Sequence, residues 1–196
     1  MNIDTYILLW INGHHTEWLD QIMWWVSQSI TWIPLYLLLV GLIIYRYRSW
    51  KEGLAILLAF ALAVGLSDFI CSGILKPMVE RLRPTHEPSL APFLHTVNGY
   101  KGGIYGFCSS HAANTLACAL LFIFVYKNKI TTSLLIVWVA INSYSRMYLG
   151  VHYPTDIMAG WIIGGVTASL AYALLRLLQK QRMHHVDGGA AQLGDS

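Results

Sequence analysis

Three short stretches hold the residues whose types and spacing could do chemistry. "KPMVERLRP" runs from Lys76 to Pro84, "GFCSSH" from Gly106 to His111, and "SRMYLGVHYPTD" from Ser145 to Asp156. Together they supply Lys76, Arg83 and Arg146, the hydroxyls of Ser109 and Ser110, the imidazoles of His111 and His152, and the carboxylate of Asp156. One lysine and two arginines in a shared site suit an anion, and phosphate fits best. Arg grips phosphate oxygens through a two-pronged fork, and Lys acts as a point charge. Such a pocket would also stabilise charge on a transferring phosphoryl group. Ser109, Ser110 and His111 open an apolar run, where the free N–H groups of a helix N-terminus favour an anion. A neutral imidazole can attack phosphorus and carry it as a phosphohistidine. It then needs one ring nitrogen free and the other N–H held. His152 and Asp156 lie four apart, and the intervening "YPT" makes a turn into a helix between them. His111 can protonate the leaving oxygen, a service worth roughly 10²–10⁴ in rate.

The elements that must position these groups are apolar. Of 196 residues, 56% are hydrophobic and 12% charged, with a mean hydropathy of +0.50. A soluble domain is nearer a quarter charged, so the solvent is mostly lipid. A net charge of +3, with no basic run carrying interleaved aromatics, argues against a nucleic-acid partner. Five stretches approach the length of a membrane span, which needs about 20 residues. They are Ile22 to Tyr45, Gly53 to Leu75 with Asp68 inside it, Ser109 to Tyr126, Ile130 to about Leu149, and Ile157 to Leu175. The sequence therefore predicts an all-α integral membrane bundle of five transmembrane helices. A short amphipathic helix, Ile3 to Ile11, is expected to lie at the interface before them. The domain division that follows is 1–20 for this helix and an outer loop, 21–183 for the membrane-embedded catalytic part, and 184–196 for a disordered polar tail. The N-terminus lacks a basic region and a cleavage site, so the first span is expected to act as its own insertion signal.

Charge placement sets orientation. Arg46, Arg48, Lys51, Lys127, Lys129, Arg176, Lys180 and Arg182 fall on one side, expected to be cytoplasmic. Five cations remain for the outer side, and three of them are Lys76, Arg83 and Arg146. Orientation does not explain those three; an anion-binding site does. A transporter using buried charges as an ion relay would scatter them through the membrane depth, whereas here they gather at one face.

The pattern of Lys76, Arg83 and Pro84, then Ser109 and His111, then Ser145, Arg146, His152 and Asp156 resembles the type 2 phosphatidic acid phosphatase superfamily. That family comprises membrane lipid phosphatases, some soluble acid phosphatases and vanadium haloperoxidases. The resemblance implies His152 as nucleophile, Asp156 as its orienting partner and His111 as the acid for the leaving group. Lys76, Arg83, Ser109, the Ser110 N–H and Arg146 would bind phosphate. No metal and no cofactor are implied. Cys108 and Ser110 stand where the family usually has Pro and Gly. If that Gly adopts a left-handed φ, Ser110 would be strained. The expected function is dephosphorylation of a membrane lipid phosphate or diphosphate, in a bacterial inner membrane, with the site facing the periplasm or exterior. Undecaprenyl diphosphate and phosphatidylglycerol phosphate are the favoured substrates, with phosphatidic acid and lipid A phosphate as further candidates. A lipid phosphotransferase would use the same residues. A haloperoxidase does not suit a chain with these spans.

Other polar residues carry two readings. Asp68, Ser72 and Lys76 share a helix face, so Asp68 either orients an active-site cation or makes a packing hydrogen bond to Asn142 or Asn114. Arg81 and Lys101 are either solvated loop charges or a grip on a second phosphate or an anionic headgroup. "NGYKGGIYGF" reads as a flexible loop. Cys71, Cys108 and Cys118 are expected as free thiols, although a Cys71–Cys108 bridge is conceivable.

Overall fold

The structure is a computed structural model that describes residues 2–47 and 49–194, with side chains described as far as Gln181. The expected disordered tail, 184–196, lies outside the fully described residues. Among the described residues eight α-helices follow one another: α1 (Ile3–Gly13), α2 (Glu17–Ser27), α3 (Ile33–Arg46), α4 (Trp50–Asp68), α5 (Lys76–Val79), α6 (Ser110–Tyr126), α7 (Lys129–Tyr148) and α8 (Pro154–Gly194). A π-helical stretch, Phe69–Leu75, joins α4 to α5. Among the described residues there is no strand, only an isolated bridge between Leu82 and Tyr105.

Among the described residues, three helical segments are long and apolar enough to cross a membrane: Ser29–Arg46, Trp50–Val79 and Pro154–Gln181. Their outward faces carry exposed Leu37, Leu38, Leu58, Ile162 and Leu170, as a lipid solvent requires. Their inner faces bury Leu39, Ile43, Ile56, Ala63 and Ala168 in one core with Leu121 and Phe122 of α6 and Trp138 of α7.

The first expected span, continuous from Ile22, is interrupted. The chain is helical to Ser27, extends at Gln28 and re-enters through a 3₁₀ turn, Ser29–Trp32. Pro34 accounts for part of this. In a continuous helix its ring would clash with the carbonyl of Ile30, whereas here it occupies the first turn of α3. The carbonyls stranded at the end of α2 are satisfied by side chains from the turn. Thr31 Oγ1 donates to Trp25 O at 2.7 Å, and Trp32 Nε1 donates to Val26 O at 2.8 Å.

Helix α6 is the centre of the bundle, packed by α4, α7 and α8. Its contact with α8 is close because α8 presents glycine. A Cβ on Gly160 would stand 2.5 Å from Ser109 O, and one on Gly164 would stand 2.3 Å from Ala113 O. Small residues four apart let two helix backbones touch in lipid. This contact brings the start of α8, with Asp156, against the start of α6, with Ser109. Across α4 and α8, the buried hydroxyls of Ser67 and Thr167 share a hydrogen bond of 2.6 Å.

The α1–α2 pair caps one end of the bundle. Ile11 and Met23 pack on Tyr148, Leu149 and Val151. The buried Asn12 amide donates to Tyr148 O at 2.8 Å and to His95 O at 2.9 Å, and its oxygen accepts from His95 N at 2.9 Å.

Candidate active site

Three connections meet at the end capped by α1 and α2: residues 76–109, the α7–α8 turn, and the break between α2 and α3. They bring the expected site residues together. Lys76 begins α5, just after the π-helical stretch, and its Nζ donates to Ser110 Oγ and to Ser72 Oγ, both at 3.1 Å. The π geometry is a common device at functional positions because it shifts the register of the side chains that follow. Ser109 is the buried N-cap of α6; its Oγ faces Ala112 N at 3.4 Å and its own N–H donates to Asp156 O at 3.0 Å. Ser110 is the first residue of α6 and is absent from the positive-φ positions, so the expected strain does not arise.

His152 is buried in the turn between α7 and α8. Its Nε2 lies 3.1 Å from Arg83 Nη1. A guanidinium has only donors, so Nε2 must accept, and the proton of the neutral ring must sit on Nδ1. That nitrogen lies 3.5 Å from Asp156 Oδ2, too far and too poorly aligned to count as a hydrogen bond. Burial, followed by the charges of Arg83, Arg146 and Lys76, pushes the His152 ring well below the ordinary imidazole range. His111 faces the same group of cations and lies against the backbone of Ser27.

Arg83 is buried and held along its length. Its N–H donates to Ile104 O at 2.9 Å, its Nε to Tyr105 O at 3.1 Å, and its Nη1 also to Val151 O at 3.3 Å. Burial and the charge of Arg146 push it down to about 10, which still leaves it a cation at neutral pH. The glycine-rich stretch expected to be a flexible loop is what holds it. Gly106 N donates to Arg81 O at 2.8 Å, and Gly102, at φ +70, gives the Arg83 head room that a side chain would take. Arg146 ends α7; its guanidinium donates to Ser27 Oγ and, at 3.2 Å, to the Tyr100 hydroxyl. Its Nε is buried with no partner among the described residues.

Sequence reasoning missed four contributors. Arg81, read as a solvated or second-phosphate cation, instead donates to Asp156 Oδ1 at 2.8 Å, to Thr155 Oγ1 at 2.7 Å and to Asp4 Oδ2 at 2.5 Å. Asp4 lies on the short N-terminal helix. Ser27 comes from the helix break and Tyr100 from the glycine-rich stretch, and neither belongs to a local motif. Lys101 is exposed. For Asp68, the packing alternative with Asn114 is present: Asn114 Nδ2 donates to Asp68 Oδ1 at 3.2 Å. Ser72 Oγ stands 3.4 Å from the same oxygen and joins it to Lys76. Cys71, Cys108 and Cys118 are buried free thiols.

Comparison with known proteins agrees with this geometry. Residues 52–180 match the family model of the PAP2 superfamily. A lipid A 4'-phosphatase of Bacteroides thetaiotaomicron is 36% identical over 178 residues, covering 90% of this chain and 79% of that protein. A lipid A 4'-phosphatase of Porphyromonas gingivalis is 33% identical over 172 residues, covering 88% and 72%. The crystal structure of a transmembrane PAP2-type phosphatidylglycerolphosphate phosphatase from Bacillus subtilis superposes with a TM-score of 0.66 at 21% identity, covering 87% of this chain and 83% of that one. With three basic side chains gathered at one end of an apolar helical bundle, and with family and relatives in agreement, the chain belongs to the PAP2 superfamily and is a membrane lipid phosphatase.

Proposed function

We propose that this protein hydrolyses a lipid phosphomonoester of the lipid A type, at the outer face of a bacterial inner membrane, through a phosphohistidine on His152 Nε2. The observation that carries the reading is the contact between Arg83 and His152 Nε2. It leaves the lone pair of the ring on the nitrogen that faces the cations and the proton on the nitrogen that faces Asp156. A phosphate gripped by Arg83, Arg146 and Lys76, with the hydroxyl of Ser109 and the N–H of Ser110, meets that lone pair. Nε2 attacks phosphorus, the lipid oxygen leaves, and His111 gives that oxygen a proton. Water then attacks the phosphohistidine with His111 as base, and phosphate departs. The three cations supply the charge stabilisation that a metal would otherwise give.

Two observations favour a monoester over a diphosphate. The cations considered for a second phosphate are not placed for it: Arg81 is bound to two carboxylates and Lys101 is exposed. The relatives at 36% and 33% identity are lipid A 4'-phosphatases, so a glycolipid monoester moves ahead of the polyprenyl diphosphate and phosphatidylglycerol phosphate favoured from sequence. For topology we read five crossings. α6 and α7, of 17 and 20 residues, join the three apolar segments, and α7 shows lipid its exposed Ile130, Leu134, Ile136 and Val137.

The test is phosphate release from lipid A, undecaprenyl diphosphate, phosphatidylglycerol phosphate and phosphatidic acid, with EDTA present, for wild type and His152→Ala. Wild type is expected to act on lipid A fastest and to survive chelation, and the mutant to be inactive. Full activity of His152→Ala would remove the phosphohistidine, and loss of activity on chelation would remove the metal-free mechanism.

A further inference from the structure

We infer that Arg81 is a positioning residue for the His152–Asp156 pair, and that Asp4 on the N-terminal helix is its anchor. This makes α1 a working part of the active site. The inference rests on the reading of His152 as nucleophile. Asp156 has two oxygens and both are held. Oδ2 accepts from Tyr153 N at 3.0 Å, and Oδ1 accepts from Arg81 Nη1 at 2.8 Å. The Asp156 side chain is fully buried, and a carboxylate taken out of water needs a cation to stay ionised. Arg81 is the cation bonded to it.

Arg81 does not reach Asp156 as a free arm. Its second terminal nitrogen is fixed by Asp4 Oδ2, and its guanidinium lies 3.9 Å over the Tyr153 ring. Asp4 is fixed in turn by the first turn of α8, accepting from Thr155 N at 2.9 Å and from Thr155 Oγ1 at 2.6 Å. The circuit closes: α1 holds Arg81 and the start of α8, Arg81 holds Asp156, and Asp156 faces the Nδ1 proton of His152. A fork donor suits such a bridge, because two carboxylates can be served by separate nitrogens of one rigid plane. No motif spacing links residues 4, 81 and 156. Only the fold brings them together.

The test measures kcat and KM for lipid phosphate hydrolysis by the full chain carrying Arg81→Gln, Arg81→Lys, Asp4→Asn or the pair Asp4→Asn with Arg81→Gln, with His152→Ala as control. A positioning role acts on the chemical step, so Arg81→Gln is expected to lower kcat about 30-fold or more with KM within about 3-fold. Arg81→Lys keeps the charge without the fork and should fall between wild type and Arg81→Gln. Asp4→Asn should lower kcat by about 3- to 10-fold. The double variant should match Arg81→Gln alone to within about 2-fold, because both changes break one circuit. A folded Arg81→Gln with kcat near wild type overturns the inference. A loss confined to KM also overturns it, since Arg81 would then bind substrate. If Arg81→Gln does not fold, a folded Asp4→Asn with wild-type kcat overturns the anchoring by α1. Retained activity in His152→Ala would instead strike at the nucleophile itself.

Discussion

The two edges of the His152 ring are built in opposite ways. On the Nδ1 edge the facing groups saturate one another, although Nδ1 itself has no hydrogen-bond partner among the described residues: Asp156 receives Arg81 and Tyr153 N, and Arg81 and Thr155 are both bound to Asp4. On the Nε2 edge the cations are crowded, and among the described residues no carboxylate forms an ion pair with Arg83, Arg146 or Lys76. Arg83, Arg146 and Lys76 all act on one neutral ring, and Arg146 Nε is buried without a partner among the described residues. Positive charges held together in a low-dielectric site raise each other's free energy. The saturated edge holds its partners in place. The crowded edge is relieved when an anion arrives. The difference teaches that the same residue type can serve either end, and that its partners decide which. Arg81 and Arg83 are two residues apart; one meets carboxylates and the other meets His152 Nε2.

The largest break in that comparison comes from Arg83→Gln. It removes a cation from the crowded edge and the donor that fixes the ring tautomer with its proton on Nδ1. Loss of one such electrostatic contact is expected to lower kcat/KM by about 10²–10³. It should also move the pH profile. In wild type the ring is held neutral by burial and by three cations, so it stays nucleophilic on the acid side of the ordinary imidazole range. The acid limb of kcat/KM, which reports the free enzyme, therefore lies below that range. Without Arg83 the charged ring is less disfavoured, its pKa rises, and the limb moves to higher pH. A limb that stays in place would mean that Arg83 does not govern the ring.

A gentler change reaches the same arginine through the backbone. A Cβ on Gly102 would lie 2.9 Å from Arg83 Nη1, and the residue sits at φ +70, where L side chains are strained. Gly102→Ala should displace the guanidinium and lower kcat/KM by about 10-fold, less than removing it. Gly103 has nothing within 4 Å of such a Cβ, so Gly103→Ala should leave activity unchanged. Equal activities for the two variants would show that the Arg83 head moves freely and that the crowded edge is not rigid.

The contrast between the edges also explains what could be read in advance. The crowded edge was legible because its residues are chemically conspicuous and come in short motifs: Lys76 with Arg83, Ser109 with His111, Arg146 with His152. Spacing within a motif survives folding. Of the saturated edge only Asp156 was legible, from its spacing to His152; Arg81 and Asp4 were not, because they are joined to it and to each other across separations of 75 residues and more. An arginine on a loop gives no local sign of what it meets, and solvation is the ordinary expectation for one. The apolar runs identified the long helices for the same reason that the motifs identified the site, since each is a local pattern. They could not reveal the break at Gln28, which follows from Pro34 and from the side chains of Thr31 and Trp32 closing α2. That break matters, because it delivers Ser27 to Arg146. The close approach of α6 and α8 was equally hidden. Gly160 and Gly164 look like ordinary small residues until the backbone of Ser109 and Ala113 is placed against them.

The smallest expected effect tests how Arg146 is shared. Its guanidinium divides between Ser27 Oγ and the Tyr100 hydroxyl, and the Tyr100 ring is fixed edge-on by Trp24 at 5.5 Å. Burial alone would raise the Tyr100 phenol, but the charges of Arg146, Arg83 and Lys76 outweigh it and hold the phenol below its usual value. The hydroxyl therefore answers to the whole crowded edge while touching one member of it. Tyr100→Phe leaves the ring packed on Trp24 and removes one neutral-to-charged hydrogen bond, worth about 1.5–3 kcal/mol when made in isolation. Ser27 keeps its hold on Arg146, so the loss in activity should be smaller, about 3- to 5-fold in kcat/KM. Because Tyr100 steadies Arg146, which we propose binds phosphate, and does not touch His152, the change should fall on KM and leave kcat near wild type. A fall in kcat instead would place Tyr100 with the groups that hold the reacting ring, and the division between the two edges would then not follow the line drawn by Arg81 and Arg83.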